Sequence, residues 1–194
     1  IRVGTCLTVI VTAAIGIVGF THTSHASAAT LTPTNCHDGG AGSLRNTIHL
    51  ALSGDTVDLR PLSCTRIVLA GGILISQDDL TIVGRGASVQ TIDGNHVARI
   101  FAHNGHGTLL IRALAMANGA DTNRPERLTA GGGCVRSSGS VELQRAWVHH
   151  CLTNTNGGGI YAEGNVRLSR SRVFANQAGG TGGGIVGNAD VSLS

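Results

Sequence analysis

Three groups of residues have the types and spacing for chemistry. Asp78 and Asp79 are adjacent carboxylates. Such a pair can supply acid and base for glycoside hydrolysis if the two are held several ångströms apart around the scissile bond. His103 with His106, and His149-His150 beside Cys151, offer zinc-type donors. As neighbours on a strand, however, His149 and His150 are expected to point to opposite faces and not to share an ion. No second Cys-x-x-Cys or His-x-x-x-His supports either cluster, so exposed histidine is the expectation, with no metal and no cofactor. The third group is the glycine triplets at 131–133, 157–159 and 182–184. A phosphate loop would need Lys and Ser or Thr in a helix straight after the glycines. Here the strand-like Ile160-Tyr161-Ala162 follows, and all 14 basic residues are Arg. Lysine nucleophiles and Schiff bases are thereby excluded.

Composition narrows the classes further. The chain has 194 residues and a formal charge of +3, too small for an electrostatic nucleic-acid binder, and its arginines are scattered singly. Aromatics are only 3% and glycine contributes 29 positions, so the core is aliphatic and tightly spaced, and an aromatic-centred sandwich is not expected. At the start, Arg2, an apolar run from Cys6 to Phe20 and then Ala26-Ser27-Ala28 have the order of a signal peptide, 1–28, with cleavage after Ala28. The apolar run is too short and too interrupted for a membrane span, so none is expected in the mature fragment. Four cysteines remain after cleavage, and an oxidising compartment favours disulfides. Of the three possible pairings, the sequence-near choice joins Cys36 to Cys64 and Cys134 to Cys151.

These residues sit on a repeat. Gly131-Gly132-Gly133-Cys134 returns as Gly157-Gly158-Gly159-Ile160 and as Gly182-Gly183-Gly184-Ile185, offsets of 26 and 25. Ser140-Val141-Glu142-Leu143 returns at Asn165 and at Asp190, 25 residues apart each time. Val148-His149-His150-Cys151 aligns with Val173-Phe174-Ala175-Asn176. Within each stretch apolar and polar residues alternate, the mark of a strand with one buried face. Three short strands and their turns bring the chain back above its starting point every 25 residues or so, which predicts a parallel β-solenoid. Looser coils run through Leu80-Thr81-Ile82-Val83, Thr91-Ile92-Asp93 and Thr108-Leu109-Leu110-Ile111. Asn154, Asn156, Asn165, Asn176 and Asn188 fall in or near turns, where stacked amides can bond from coil to coil. The polar segment 121–128 breaks the pattern and reads as a loop bulging from one coil.

Leu44, Ile48, Ala51 and Leu52 mark one face of an amphipathic helix from about Ser43 to Gly54, which reads as a cap on the first coil. The expected organisation is a signal peptide over 1–28, an N-terminal segment with the capping helix over 29–53, and a parallel β-helix over 54–194. Because Ser194 falls inside a strand, the natural protein is expected to continue.

On these residues the chain resembles the right-handed parallel β-helix proteins of the pectin-lyase-like superfamily over roughly 36–194. The unit GGGIYAEGNVRLSRSRVFANQA is similar to the repeats of polymorphic outer-membrane and autotransporter passenger proteins, which pair a GG-aliphatic motif with a later aromatic-x-x-Asn. Gly158-Gly159-Ile160 matches the first part and Val173-x-x-Asn176 the second, with Val in the aromatic place. The segment GAGSLRNTIHLA is similar to the N-terminal module of bacterial secreted β-helix proteins. The resemblance implies an all-β, right-handed solenoid exported by bacteria to the cell surface or medium. It further implies an adhesin-like scaffold meeting extracellular polysaccharide or a host surface.

The same superfamily holds polysaccharide lyases and hydrolases acting on pectin-like polyuronates. Gln77-Asp78-Asp79 and Gly105-His106-Gly107 are similar to two polygalacturonase motifs, which would make Asp78, Asp79 and His106 the alternative catalytic set. That family's Asn-Thr-Asp element is missing, and its Arg-Ile-Lys element cannot occur without Lys. A calcium-dependent lyase needs several acidic ligands, whereas Asp93 is the one acidic residue near Arg85 and Arg99 within a coil. The leading expectation is a non-catalytic, glycan-binding repeat protein.

Overall fold

The structure is a computed structural model that describes residues 27–121 and 131–194. It is a parallel β-solenoid, as the alternation predicts. The longest sheet has seven strands: Thr30–Leu31, Thr56–Asp58, Leu80–Val83, Thr108–Arg112, Ser140–Gln144, Val166–Ser169 and Val191–Leu193. A second sheet stacks Arg66–Val68, Thr91–Asp93, Ala115–Ala117, Trp147–His149 and Arg172–Phe174. The third stacks Ile73–Ile75, Phe101–His103, Val135–Ser137, Ile160–Ala162 and Ile185–Gly187. A narrow fourth sheet pairs Ala120–Asp121, Leu152–Thr153 and Gln177–Ala178.

Register explains the core. Ile82, Ile111, Leu143 and Leu168 stand in one inward column, and Ile67, Ile92, Met116 and Val148 in another. Each fully buried aliphatic side chain contributes roughly 1.5–3 kcal/mol. In the third sheet Val135 pairs with Ile160 and Ile160 with Ile185, so the true offset across these three coils is 25. The expected match of Cys134 to Ile160 is therefore one residue out: Cys134 stands where Gly159 stands in the next coil. Matching triplet to triplet hid this, because Gly131 stands where Asn156 stands in the next coil, so the two triplets are out of step by one residue. The backbone pattern fits, since Gly132, Gly157 and Gly182, each 25 apart, all have positive φ.

Two more corners are left-handed without glycine. Ala113, Arg145 and Arg170 have φ of 51°, 52° and 49° where the chain leaves the longest sheet. Asn118, His150 and Ala175, at 56°, 54° and 52°, do the same after the second sheet. A single left-handed residue per corner turns the strand direction sharply in little space.

The capping helix spans Leu44–Leu50, with Ser43 as N-cap and Ala51 closing it. Leu44, Ile48 and Ala51 are buried as expected, but Leu52 is 63% exposed. The helix ends before Leu52, so the helical periodicity that placed it on the buried face no longer applies. Beyond the helix, the Asp55 carboxylate accepts the backbone N–H groups of Leu52 (2.8 Å) and Ala29 (2.7 Å). Those two bonds hold the carboxyl below its usual range. Disulfides join Cys36 to Cys64 and Cys134 to Cys151, the sequence-near pairing.

The predicted signal segment lies outside the described residues except for Ser27 and Ala28, and so does 121–128 except for Asp121. Among the described residues no helix is long and apolar enough to cross a membrane.

Candidate functional site

The paired carboxylates lie on the bend before Leu80–Val83 and brace the coil above. Asp78 Oδ1 accepts the backbone N–H of His106 (2.9 Å), and Asp79 Oδ1 accepts that of Thr108 (2.7 Å). The Asp79 N–H in turn donates to Ser53 Oγ in the coil below. Both aspartates and the His106 ring are exposed. What the fold brings beside the pair from the His106 loop is thus backbone, while the ring stands in solvent.

His103 behaves differently. It occupies an inward place in the third sheet between Ile75 and Ser137, with no exposure. Its Nε2 faces the carbonyl oxygens of Gln77 (2.9 Å) and Asp78 (3.1 Å), which only accept, so the proton belongs on Nε2. Nδ1 then accepts from Ser137 Oγ at 2.7 Å, and that oxygen accepts the N–H of Gly139. Burial lowers the His103 pKa, against the opposing pull of the two carbonyls and of the Asp78 and Asp79 charges. The ring is a neutral polar strut inside the core.

The second histidine cluster corrects the expectation from strand geometry. His149 and His150 do not diverge: their Nδ1 atoms are 2.8 Å apart. The left-handed backbone at His150 ends the two-residue alternation and turns its ring back over its neighbour. A contact of that length needs one N–H and one bare nitrogen, so one imidazole donates to the other. The His149 pKa is lowered by burial first and by the His150 charge second, with Asp93 acting the other way. Among the described residues no three His, Cys, Asp or Glu converge as metal ligands.

Around this pair is an aromatic cluster that the sequence reading missed. Phe174 stacks on His149 with ring centroids 4.9 Å apart and meets Trp147 edge-on at 6.5 Å. The Arg172 guanidinium lies 5.7 Å from the Trp147 ring centroid. Trp147, His149, Arg172 and Phe174 all occupy the outward places of adjacent rungs. The signal for it was present, since Trp147 and Arg172, like His149 and Phe174, are 25 residues apart.

Beside Trp147 runs an open groove of about 440 Å³, lined by Arg85, Arg145, Arg170 and small residues including Ala113. Arg145 and Arg170 are consecutive members of the left-handed corner column. Arg85 donates to the Ser63 and Cys64 carbonyls, which pins its guanidinium at the groove. Asp93 does not join it, because its carboxylate bonds the Asn95 N–H, the Asn118 amide and Arg66 rather than Arg85 or Arg99. Arg99 is buried against the Gly131 and Gly132 carbonyls and Asp121.

Asn156, Asn165, Asn176 and Asn188 link coils as expected, but through backbone and hydroxyl partners rather than stacked amides. Asn156 accepts from the Thr181 N–H, Asn165 from the Asp190 N–H, and Asn188 donates to Tyr161 Oη. Asn176 is the most telling. It stands 25 residues after Cys151, accepts the Cys151 N–H and donates to the Val148 carbonyl. Gly159 and Asn176 thus occupy the places that Cys134 and Cys151 fill one coil earlier, an amide taking over from a disulfide.

Fold and flank together define a disulfide-bonded parallel β-solenoid with an aromatic and arginine-lined side. No protein-family model, curated protein or solved structure matches the chain.

Proposed function

We propose that this chain is an exported, non-catalytic β-helix scaffold of the pectin-lyase-like kind, similar in its repeats to autotransporter passengers, that presents one flank to extracellular glycan. The observation that carries this reading is the outward row of Trp147 and Phe174 with its stacked histidine and arginine. In a chain with one Trp, one Tyr and three Phe, an outward aromatic row is a rare apolar surface with polar edges. Such a surface suits the mixed C–H and hydroxyl faces of sugars. Export is supported by the leader-like order of 1–28 and by two disulfides, which persist in oxidising compartments. The bracing bonds of Asp78 and Asp79 support a structural use of both carboxylates.

The test is affinity electrophoresis of the purified protein through gels containing soluble polysaccharides. Retardation by at least one polysaccharide is expected, weakened about two- to tenfold by Trp147→Ala, the range of a lost aromatic contact of about 0.5–1.5 kcal/mol. Release of sugar products that stops in Asp78→Asn would overturn the reading in favour of a lyase or hydrolase. Failure to bind any polysaccharide would also overturn it.

A further inference from the structure

We infer that the groove formed by Arg85, Arg145, Arg170 and Trp147 is a binding site for a linear polyanionic glycan, one whose sugars carry carboxylate or sulfate groups. This rests on the glycan-scaffold reading and specifies its ligand class.

Charge is the first reason. Arg45, Arg60, Arg66, Arg99 and Arg136 each pair with a carboxylate within the protein. Arg145 and Arg170 have no such partner among the described residues, are exposed, and line one concavity that no acidic residue lines. A protein of net charge +3 thus gathers three guanidinium groups in a single groove. The planar fork of arginine matches the geometry of carboxylate and sulfate oxygens, and an incoming anion relieves the repulsion between stacked like charges.

Spacing is the second reason. Arg145 and Arg170 extend the pairing of Gln144 with Ser169 by one residue, so they sit on adjacent rungs, about 4.8 Å apart along the solenoid axis. Arg85 lies further along the same corner, next to Gly84, whose N–H bonds the carbonyl of Arg112, the residue paired on the next rung with Arg145's chain neighbour Gln144. The cations therefore run lengthwise along the solenoid, a track for an extended chain rather than a pocket for one sugar. Trp147 forms one edge of that track and supplies the apolar contact that a sugar ring needs.

The experiment measures affinity for polygalacturonate, dextran sulfate and neutral dextran at low and moderate salt. The key variant is Arg145→Asn with Arg170→Asn, because Asn accepts the left-handed backbone of this column and removes the charge without unfolding the corner. Arg167→Gln, on the outer face of the longest sheet, serves as the charge control. Binding to at least one charged polymer is expected, weakened tenfold or more by the double variant and by raised salt, and unchanged by Arg167→Gln. Preference for polygalacturonate assigns the site to carboxylates, and preference for dextran sulfate assigns it to sulfates. Binding to neutral dextran that equals binding to the charged polymers and survives the double variant overturns this inference while leaving the scaffold reading in place. Failure to bind any polysaccharide overturns both. Tighter binding of single-stranded DNA than of either charged polymer overturns the glycan assignment.

Discussion

His103 stands in a column that is otherwise Ile75, Ser137, Ala162 and Gly187, and a buried imidazole there has to be neutral and fully bonded. Both conditions hold, which ties stability to pH. The folded protein keeps His103 below its ordinary value, whereas in the unfolded chain the ring titrates near 6.5. Between the two values the unfolded state binds a proton that the folded state refuses. The contribution is therefore complete above about pH 6.5 and is lost as pH falls towards the lowered folded value. His149 acts in the same direction, because burial and the His150 charge lower it too. Thermal unfolding should shift to lower temperature between pH 7.5 and pH 5. His103→Gln, which keeps a donor but does not titrate, should flatten that shift, and an unchanged slope would remove His103 as its source. His103→Ala should cost about 2–4 kcal/mol in urea unfolding, from the cavity and the orphaned Ser137, Gln77 and Asp78 groups. Nothing in the local sequence marks His103 as internal, since His-x-x-His suggests a surface ligand set. Only its pairing with Ile75 places it inside.

Turns and strands divide the work in each coil, and the turns are where single substitutions should be most costly. A methyl group added at Gly157, which has φ of 64°, would come within 2.3 Å of the Ile160 carbonyl oxygen. That oxygen belongs to a ladder strand and cannot move aside, so Gly157→Ala should destabilise by about 1–3 kcal/mol, measured by chemical denaturation. A loss of a few tenths would show that the turn yields. The strands themselves were legible in sequence, because alternation reports a half-buried surface directly, and Val141, Val166 and Val191 stack as the 25-residue offset requires. Glycine identity was a poorer guide than spacing. Triplet-to-triplet alignment displaces Cys134 by one place, and only hydrogen-bond register shows that Cys134 and Gly159 are equivalent. The His149–His150 contact was illegible for a related reason, as left-handed corners at Ala, Arg and His carry no compositional mark.

Over the whole molecule, stability is a sum along one axis, with each coil resting on its neighbours. The two disulfides enter that sum differently. Cys134 and Cys151 are buried within a single coil, whereas Cys36 and Cys64 are half-buried and tie the N-terminal segment to the second-sheet side of the stack. Mild reductant followed by mass-tagged alkylation should label Cys36 and Cys64 before Cys134 and Cys151. Simultaneous labelling would mean that access follows global unfolding. Opening either bridge should cost on the order of 3 kcal/mol, given closed loops of 28 and 17 residues. The fold was readable from periodicity and the pairing from proximity, but the arginine groove was not. Charges distant in the chain become neighbours only once coils are stacked, and single arginines look like scattered solvation until then. The bond from Ala29 to Asp55 has a consequence for maturation. If the leader is removed after Ala28 as proposed, the group held by this buried carboxylate is no longer a peptide N–H but a newly made α-ammonium, and the bond becomes an ion pair. Cutting would then tighten the first rung, so a chain beginning at Ala29 should unfold at higher temperature than one carrying extra residues before it, and Asp55→Asn should erase the difference. Equal melting of the two chains would show that the rung is indifferent to the cut.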